Sequence, residues 1–175
     1  MKEVFLGLGG NIGPSIEIVS KAVDKISNLP IVYDLEVSVL YETSPVSDVK
    51  QNNFINLVCK LKTNLEDPFL FFKYLEGIEK ELGKVPKPKN APRVIDIDIL
   101  LYGNLYVNEP HLQIPHPRML ERLFVLEPLS FFQNEIIFPI SQLDFQTLNI
   151  QDCIYKIKKQ DHQISQMVKK HVFKI

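Results

Sequence analysis

The amino-acid sequence predicts an α+β domain built around an antiparallel sheet with helices packed on its faces. Hydrophobic residues alternate with polar ones in some segments and recur at helical spacing in others. In chain order these segments are strand, helix, strand, strand, helix and strand. Because only a loop separates the second strand from the third, this order favours antiparallel pairing over a doubly wound parallel sheet. The pattern is the βαββαβ core of ferredoxin-like folds.

The first strand and the first helix are predicted within residues 2–30. An apolar strand is expected over residues 2–8, and a flexible turn is expected where glycines cluster, at Gly7, Gly9, Gly10 and Gly13. Pro14 suits the first turn of a helix. The residues expected on its buried face are Ile16, Val19, Val23 and Ile26.

The remaining core elements follow the same reasoning. Alternating hydrophobicity predicts a half-buried strand over residues 35–41, and a second strand is expected over residues 54–61. Asp67 and Pro68 are typical of a helix start, and Gly83 is typical of a helix end. The buried face of this helix is predicted at Phe71, Leu75, Ile78 and Leu82. A strand over residues 94–102 completes the core.

Residues beyond the core are less regular. Short extended pieces are predicted at residues 106–107 and 112–114, followed by a partly helical segment over residues 118–129. Residues 140–175 are expected to be a C-terminal extension of a single domain that spans residues 1–175. This tail either docks a terminal helix or is partly disordered. The residues available for docking are Ile154, Ile157, Ile164 and Val168.

Composition excludes several classes of protein. The chain has 175 residues, 45% hydrophobic content and a net charge of −1, which suits one globular domain and argues against a general nucleic-acid binder. It carries two cysteines, too few for a disulfide framework. No apolar run approaches the length of a membrane span and the N-terminus lacks a signal-peptide layout, so a cytoplasmic location without membrane contact is expected. The protein is also expected to be a monomer.

Two aspartates interrupt the last predicted core strand. Asp96 and Asp98 alternate with isoleucines, so they share one face with Val94 and Leu100, while Leu101 is expected on the opposite face. Two carboxylates at this spacing suit Mg²⁺, which takes oxygen ligands and completes its shell from water and substrate phosphates. Taken alone, the pair is more typical of a solvated strand face than of a metal site. The nearby Arg93 favours a metal–polyphosphate site, because arginine matches phosphate oxygens well.

Four segments, in order, resemble motifs of the 6-hydroxymethyl-7,8-dihydropterin pyrophosphokinase family. They read GLGGNI at residues 7–12, YETSP at 41–45 with FIN at 54–56, KNAPRVIDIDIL at 89–100, and IPHPRM at 114–119. The last is followed by Arg122 and Phe124, as in the family. The resemblance implies a ferredoxin-like fold and transfer of pyrophosphate from ATP to the hydroxymethyl group of the pterin.

The resemblance also implies roles for individual residues. Arg93, Asp96 and Asp98 would be catalytic, with two Mg²⁺ ions held by Asp96 and Asp98. The pterin would be bound by Thr43, Pro45, Val46, Phe54, Asn56 and Phe124. The co-substrate ATP would be bound by Glu79, Lys84, Lys89, Arg93, Ile99, His116 and Arg122. Lysines stand in the loop over residues 84–92 where the family often has arginines, and lysine cannot form a two-pronged contact with phosphate.

Two other functions remain compatible with the residues. One is a different Mg²⁺-dependent nucleotidyl or phosphoryl transferase on the same fold, which would leave Phe54, Asn56 and Phe124 without a role. The other is a non-catalytic nucleotide-binding module, against which the pair of aspartates beside Arg93 argues. The chain lacks the glycine-rich phosphate loop of P-loop proteins and the motifs of protein kinases.

Overall fold

The computed structural model describes residues 1–45, 51–86 and 91–160, together with the backbone of residues 169–171. In chain order the elements are β1 (Lys2–Gly10), α1 (Ser15–Ser27), β2 (Val32–Val37), β3 (Leu40–Thr43), β4 (Phe54–Thr63), α2 (Pro68–Glu81), β5 (Asp96–Tyr102), β6 (Val107–Glu109), β7 (Leu112–Ile114), a short 3₁₀ helix (Met119–Glu121), α3 (Leu123–Leu129), β8 (Glu135–Pro139), β9 (Phe145–Asn149), α4 (Ile150–Gln160) and β10 (Lys169–His171).

The central sheet is antiparallel at every pairing of its described strands. Its order is β10-β3-β4-β1-β5, and β2 pairs with β4 beside β3. β1 therefore lies between β4 and β5. This is the strand order of a βαββαβ chain, in which each helix connects two strands that have one other strand between them. The predicted α+β, ferredoxin-like architecture is confirmed.

Helices α1 and α2 cover one face of the sheet. α1 buries Val19, Val23 and Ile26 as predicted, but Ile16 is 42% exposed because it lies in the first turn, before the helix reaches the sheet. Asp67 caps α2 by accepting a hydrogen bond from the backbone N–H of Phe69 at 2.8 Å. Together with Val4, Leu6 and Leu8 of β1, these helices enclose the larger hydrophobic core.

Helices α3 and α4 cover the opposite face. Leu126 and Leu129 of α3 pack with Ile150 and Ile154 of α4 in a second core that also contains Phe5 of β1. The tail thus docks a helix, while Ile164 and Val168 lie outside the described residues. No helix in the described ranges has the length and apolar character needed to cross a membrane.

The segment predicted as one strand over residues 35–41 is two strands, β2 and β3. The break falls at Ser38, whose backbone N–H donates to the carbonyl of Val58 at 3.0 Å. The Ser38 hydroxyl oxygen then accepts from the backbone N–H of Val58, also at 3.0 Å. The Ser38 side chain thus replaces one backbone hydrogen bond between neighbouring strands, which interrupts their regular pairing.

Gly7, Gly9 and Gly10 belong to β1 and not to a flexible turn, so the prediction was wrong for these three glycines. A Cβ atom at Gly10 would lie 2.2 Å from the carbonyl oxygen of Val94, and one at Gly9 would lie 2.5 Å from Oδ1 of Asn56. Both positions need glycine because neighbouring chain segments approach the strand closely. Gly13, with a φ of +69°, is the residue that makes the turn.

We predict that Gly10→Ala destabilises the protein by about 1–3 kcal/mol, because the new methyl group meets backbone that cannot rotate away. Urea denaturation at equilibrium measures the loss. Gly77 is the matched control, since a Cβ atom there has nothing within 4 Å and the residue lies inside α2. Gly77→Ala should stabilise the protein by about 0.5–1 kcal/mol. Equal effects of the two substitutions would contradict the close approach.

Candidate active site

A cavity of about 640 Å³ opens over the α3 face of the sheet, at the end where β1 leads into α1. Its walls come from several elements that are far apart in the sequence. They include Gly9 of β1, Thr43 of β3, Asn56 of β4, Asp96 of β5 and Phe124 of α3. The sheet therefore brings four of the sequence motifs to a single concave surface.

Asp96 and Asp98 point into this cavity from β5. Their side chains are 21% and 46% exposed, while Ile97 and Ile99 between and beyond them are buried against the helices of the other face. The alternation of a strand thus separates the carboxylates from the core, as predicted. The strand begins at Asp96, two residues later than expected.

A β-bulge near the middle of β5 changes the face of one residue. Phe5 pairs with Leu101 and Leu6 pairs with Ile99, so Leu100 is an extra residue in β5. Leu100 and Leu101 consequently both join the core under α3. The expectation that Leu101 lies on the opposite face from the aspartates was therefore wrong.

Two cations neutralise Asp96. Lys84 Nζ lies 2.9 Å from Asp96 Oδ1, and the guanidinium of Arg93 donates to Asp96 Oδ2. Lys84 also contacts Glu79 Oε1 at 2.7 Å. Desolvation lowers the pKa of Lys84, but hydrogen bonds and charge from Glu79 and Asp96 outweigh it, so the pKa of Lys84 is raised overall. Lys84 is a cation held between two carboxylates.

Glu79 supports this arrangement from inside the protein. It belongs to α2, is 6% exposed, and accepts a hydrogen bond at 2.7 Å from the backbone N–H of Ile97. Burial raises the pKa of Glu79, while its contacts with Lys84 and Ile97 act in the opposite direction. Glu79 thereby links the end of α2 to the strand that carries the aspartates.

His116 lies beside Asp98 on the other side of the cavity. Its Nε2 is 3.9 Å from Asp98 Oδ2, and its Nδ1 accepts a hydrogen bond from the backbone N–H of Arg118 at 3.2 Å. Burial lowers the pKa of His116, the positive charges of Arg122 and Arg118 lower it further, and Asp98 opposes both. A neutral imidazole whose Nε2–H donates into the cavity is the form that this geometry supports.

The wall opposite the aspartates carries aromatic rings and a buried amide. Phe54 and Phe124 line the cavity, and the guanidinium of Arg122 lies 5.3 Å from the centre of the Phe124 ring. Asn56 is 5% exposed and donates to the Thr43 hydroxyl at 2.8 Å. No described residue donates to Asn56 Oδ1, so a buried acceptor remains available at the cavity wall.

The structure brings most of the predicted site residues together. The predicted residues that line the cavity are Thr43, Phe54, Asn56, Lys84, Arg93, Asp96, Asp98, His116, Arg122 and Phe124. Ile99 is 3% exposed within the core and Pro45 does not line the cavity, so their roles stay predictions, as does a nucleotide contact for Glu79. Val46 and Lys89 lie outside the described residues.

Sequence analysis assigned no role to some residues of this surface. Gln51, Arg118 and Glu121 line the cavity, and the buried Asn11 contacts two of its walls. The only sequence signal for Asn11 was its place after the glycines of the first motif. Arg118 stands within the fourth motif without an assigned role, and nothing in the local pattern distinguished Gln51 and Glu121 from ordinary loop residues.

Carboxylates that suit a divalent cation, set among arginines and a histidine that suit phosphate, are typical of enzymes that transfer phosphoryl groups. This is the class that the fold and the cavity define. The model of the 7,8-dihydro-6-hydroxymethylpterin-pyrophosphokinase family matches residues 5–134. The chain therefore belongs to this pyrophosphokinase family, which confirms the resemblance that its motifs suggested.

Individual relatives agree with the family. The chain is 38% identical over 141 residues to the 2-amino-4-hydroxy-6-hydroxymethyldihydropteridine pyrophosphokinase of Aquifex aeolicus, covering 80% of this chain and 86% of that protein. It is 41% identical over 140 residues to the folic acid synthesis protein fol1 of Pneumocystis carinii, covering 80% of this chain and 19% of that protein. The match to a relative from Dictyostelium discoideum likewise covers 20% of the length of that relative.

A solved structure supports the fold. The crystal structure of Plasmodium falciparum HPPK-DHPS wild type with SDX-DHP matches with a TM-score of 0.72 at 16% sequence identity. The match covers 97% of this chain and 47% of that chain. The chain thus spans less than half of that protein and about a fifth of the two relatives from Pneumocystis and Dictyostelium.

We predict that Lys84→Met destabilises the protein chiefly above the pH at which Glu79 ionises. The ordinary pKa of this carboxyl is 4.5, burial already raises it in the folded protein, and loss of Lys84 raises it further. A group whose pKa is higher in the folded state lowers stability as pH rises through that range. The added loss should therefore be small near about pH 4 and reach about 2 kcal/mol near about pH 8.

Urea denaturation across this pH range checks the prediction. Lys25→Met is the matched control, because Lys25 pairs with Glu81, at the end of the same helix, in an exposed ion pair of 2.6 Å. Its loss should be small, at most about 1 kcal/mol, at either pH. The same pH profile for both variants would contradict a buried Glu79 that depends on Lys84.

Proposed function

We propose that the protein transfers the pyrophosphoryl group of ATP to the hydroxymethyl group of 6-hydroxymethyl-7,8-dihydropterin, giving AMP and the pterin diphosphate. The observation that carries this proposal is the single cavity in which Asp96, Asp98 and Arg93 face Asn56 and Phe124. One side of the cavity suits polyphosphate, and the other suits a flat heterocycle with hydrogen-bonding edges. The oxygen of the hydroxymethyl group would attack the β-phosphorus and lose its proton to solvent, and the bond from that phosphorus to the α-phosphate oxygen would break, so that AMP leaves with this oxygen.

The donor set fits Mg²⁺. Asp96 and Asp98 offer carboxylate oxygens, and the described residues contain no group of three or more His, Cys, Asp or Glu side chains that could hold a metal by themselves. A site with two carboxylates leaves coordination positions for phosphate oxygens and water, which is how Mg²⁺ is usually bound beside nucleotides. Two ions held by Asp96 and Asp98 would neutralise charge on the phosphates and make the β-phosphorus more electrophilic.

The cations of the cavity bind and orient the triphosphate. Arg93 and Arg122 present guanidinium groups. Burial lowers the pKa of His116, which therefore presents its Nε2–H as a neutral donor. Such donors stabilise charge that develops on the phosphoryl oxygens, without a covalent intermediate on any side chain. Lys84 joins them as a point charge at the same wall. ATP contacts from Lys89, Glu79 and Ile99 are part of the proposal.

The opposite wall binds the pterin. Phe54 and Phe124 would stack on the two faces of the ring, and Asn56 would hydrogen-bond its amide-like edge. Thr43 fixes the orientation of the Asn56 amide through its hydroxyl, and the backbone near Pro45 and Val46 would complete the contacts. We also propose that the protein acts as a monomer.

We predict that wild-type protein with ATP, Mg²⁺ and the hydroxymethylpterin yields AMP and pterin diphosphate in equal amounts, and that Asp96→Asn or Asp98→Asn lowers turnover at least about a hundredfold. Chromatography of the nucleotides measures both outcomes. Asp34→Asn is the control, because Asp34 is exposed and pairs with Lys62 away from the cavity. ADP as the product would replace the proposal with transfer of a single phosphoryl group, and absence of any turnover would favour a binding module.

We predict that Phe124→Leu weakens pterin binding about tenfold through loss of ring stacking, while the affinity for an ATP analogue changes little. Isothermal titration with each ligand separates the two affinities. Phe131→Leu is the control, because Phe131 is 53% exposed and does not line the cavity. An equal loss of affinity for both ligands would contradict the assignment of Phe124 to the pterin wall.

A further inference from the structure

Asn11 is a buried polar residue between two walls of the cavity. It follows Gly10 directly after β1, it is 2% exposed, and it has no assigned role in the proposed chemistry. A carboxamide this deeply buried must have its hydrogen-bonding groups satisfied, or it would destabilise the fold. Its partners lie in two different segments, at Gln51–Asn52 and at Arg93, that are remote from it in the sequence.

The amide nitrogen of Asn11 holds the chain that leads into the pterin wall. Nδ2 donates to Oε1 of Gln51 at 2.9 Å and to the carbonyl oxygen of Asn52 at 3.0 Å. These residues lie three and two positions before β4, the strand that carries Phe54 and Asn56. One donor group therefore fixes the start of the strand on which the aromatic and amide side chains are mounted.

The rest of Asn11 holds the backbone of Arg93. Its Oδ1 accepts a hydrogen bond from the Arg93 N–H at 2.9 Å. The carbonyl oxygen of Arg93 accepts from the backbone N–H groups of Asn11 at 2.9 Å and Ile12 at 3.2 Å. The N–H and the carbonyl oxygen of Arg93 are thus both bound to the residues that directly follow β1. The Arg93 side chain then reaches Asp96 from this fixed position.

We infer that Asn11 is a positioning residue for pyrophosphoryl transfer, which sets the placement of Arg93 relative to the pterin wall. This inference rests on the proposed function. One carboxamide joins the segment that grips phosphate to the segment that presents the pterin, so the two reacting groups are aligned through a single side chain. Errors of about 1 Å in such alignment cost on the order of a hundredfold in rate.

The test combines Asn11→Ala and Gln51→Ala, singly and together. Asn11→Ala should lower kcat with both substrates saturating by about tenfold or more, because misalignment remains when both sites are filled. It should also weaken pterin binding about tenfold through loss of two hydrogen bonds. Gln51→Ala removes one partner and should weaken pterin binding by less. The double variant should bind pterin within about twofold of Asn11→Ala, since coupled residues are not additive.

Ser38→Ala is the matched control for lost burial and hydrogen bonding. Ser38 is 4% exposed, accepts a hydrogen bond within the same sheet and does not line the cavity. It should match Asn11→Ala in loss of stability but leave kcat near the wild-type value. Hydrogen exchange at the Arg93 amide gives a readout that needs no turnover: protection should fall in Asn11→Ala and persist in Gln51→Ala and Ser38→Ala.

Failure of this inference differs from failure of the proposed function. Wild-type protein that makes no AMP and pterin diphosphate would overturn the proposed function. Hydrogen exchange at the Arg93 amide would still test whether Asn11 holds the Arg93 backbone. With wild-type turnover intact, a kcat of Asn11→Ala within about twofold of the Ser38→Ala value would overturn the positioning role. Independent, multiplicative losses of pterin affinity in the double variant would overturn the link between Asn11 and Gln51.

Discussion

The site depends on how closely the end of β1 approaches the chain around Arg93 and Val94. With no side chain at Gly10, the strand passes near enough for Asn11 and Ile12 to bind the Arg93 carbonyl at 2.9 and 3.2 Å. This contact fixes the point at which the loop before β5 returns to the sheet. The orientation of Arg93 and the start of the aspartate strand follow from it.

Charge balance is the second constraint on the cavity. Asp96 is neutralised by Lys84 on one oxygen and by Arg93 on the other, so a divalent cation at Asp96 would share its charge with these two cations. Among the described residues, Asp98 forms no ion pair with a lysine or an arginine. The imidazole Nε2 of His116 lies 3.9 Å from its Oδ2, and the charge of Arg122 acts on it from farther away. Lys84 would keep its contact with the buried Glu79 if it left Asp96, so it would stay near the phosphates.

The two walls of the cavity have different physical origins. The proposed phosphate wall is built from charges on β5 and on the loops around it, and those charges are balanced against one another within the protein. The proposed pterin wall is built on β4 and α3, where the Asn56 amide nitrogen donates to Thr43 and the amide oxygen receives no donor from the described residues. A buried acceptor of this kind would favour a ligand that can supply a donor, and the proposed pterin site would gain selectivity from it.

The sequence by itself determined the order of strands and helices, the face on which Asp96 and Asp98 lie, and the family. These depend on local periodicity and on motif residues that are adjacent in the chain. Only the tertiary structure decided the bulge at Leu100, the break at Ser38 and the role of Asn11. Each of these depends on pairing between distant segments, and the bond from Arg93 to Asn11 joins residues 82 positions apart. Local patterns carry no information about such contacts, because the partner is chosen by packing of the whole sheet.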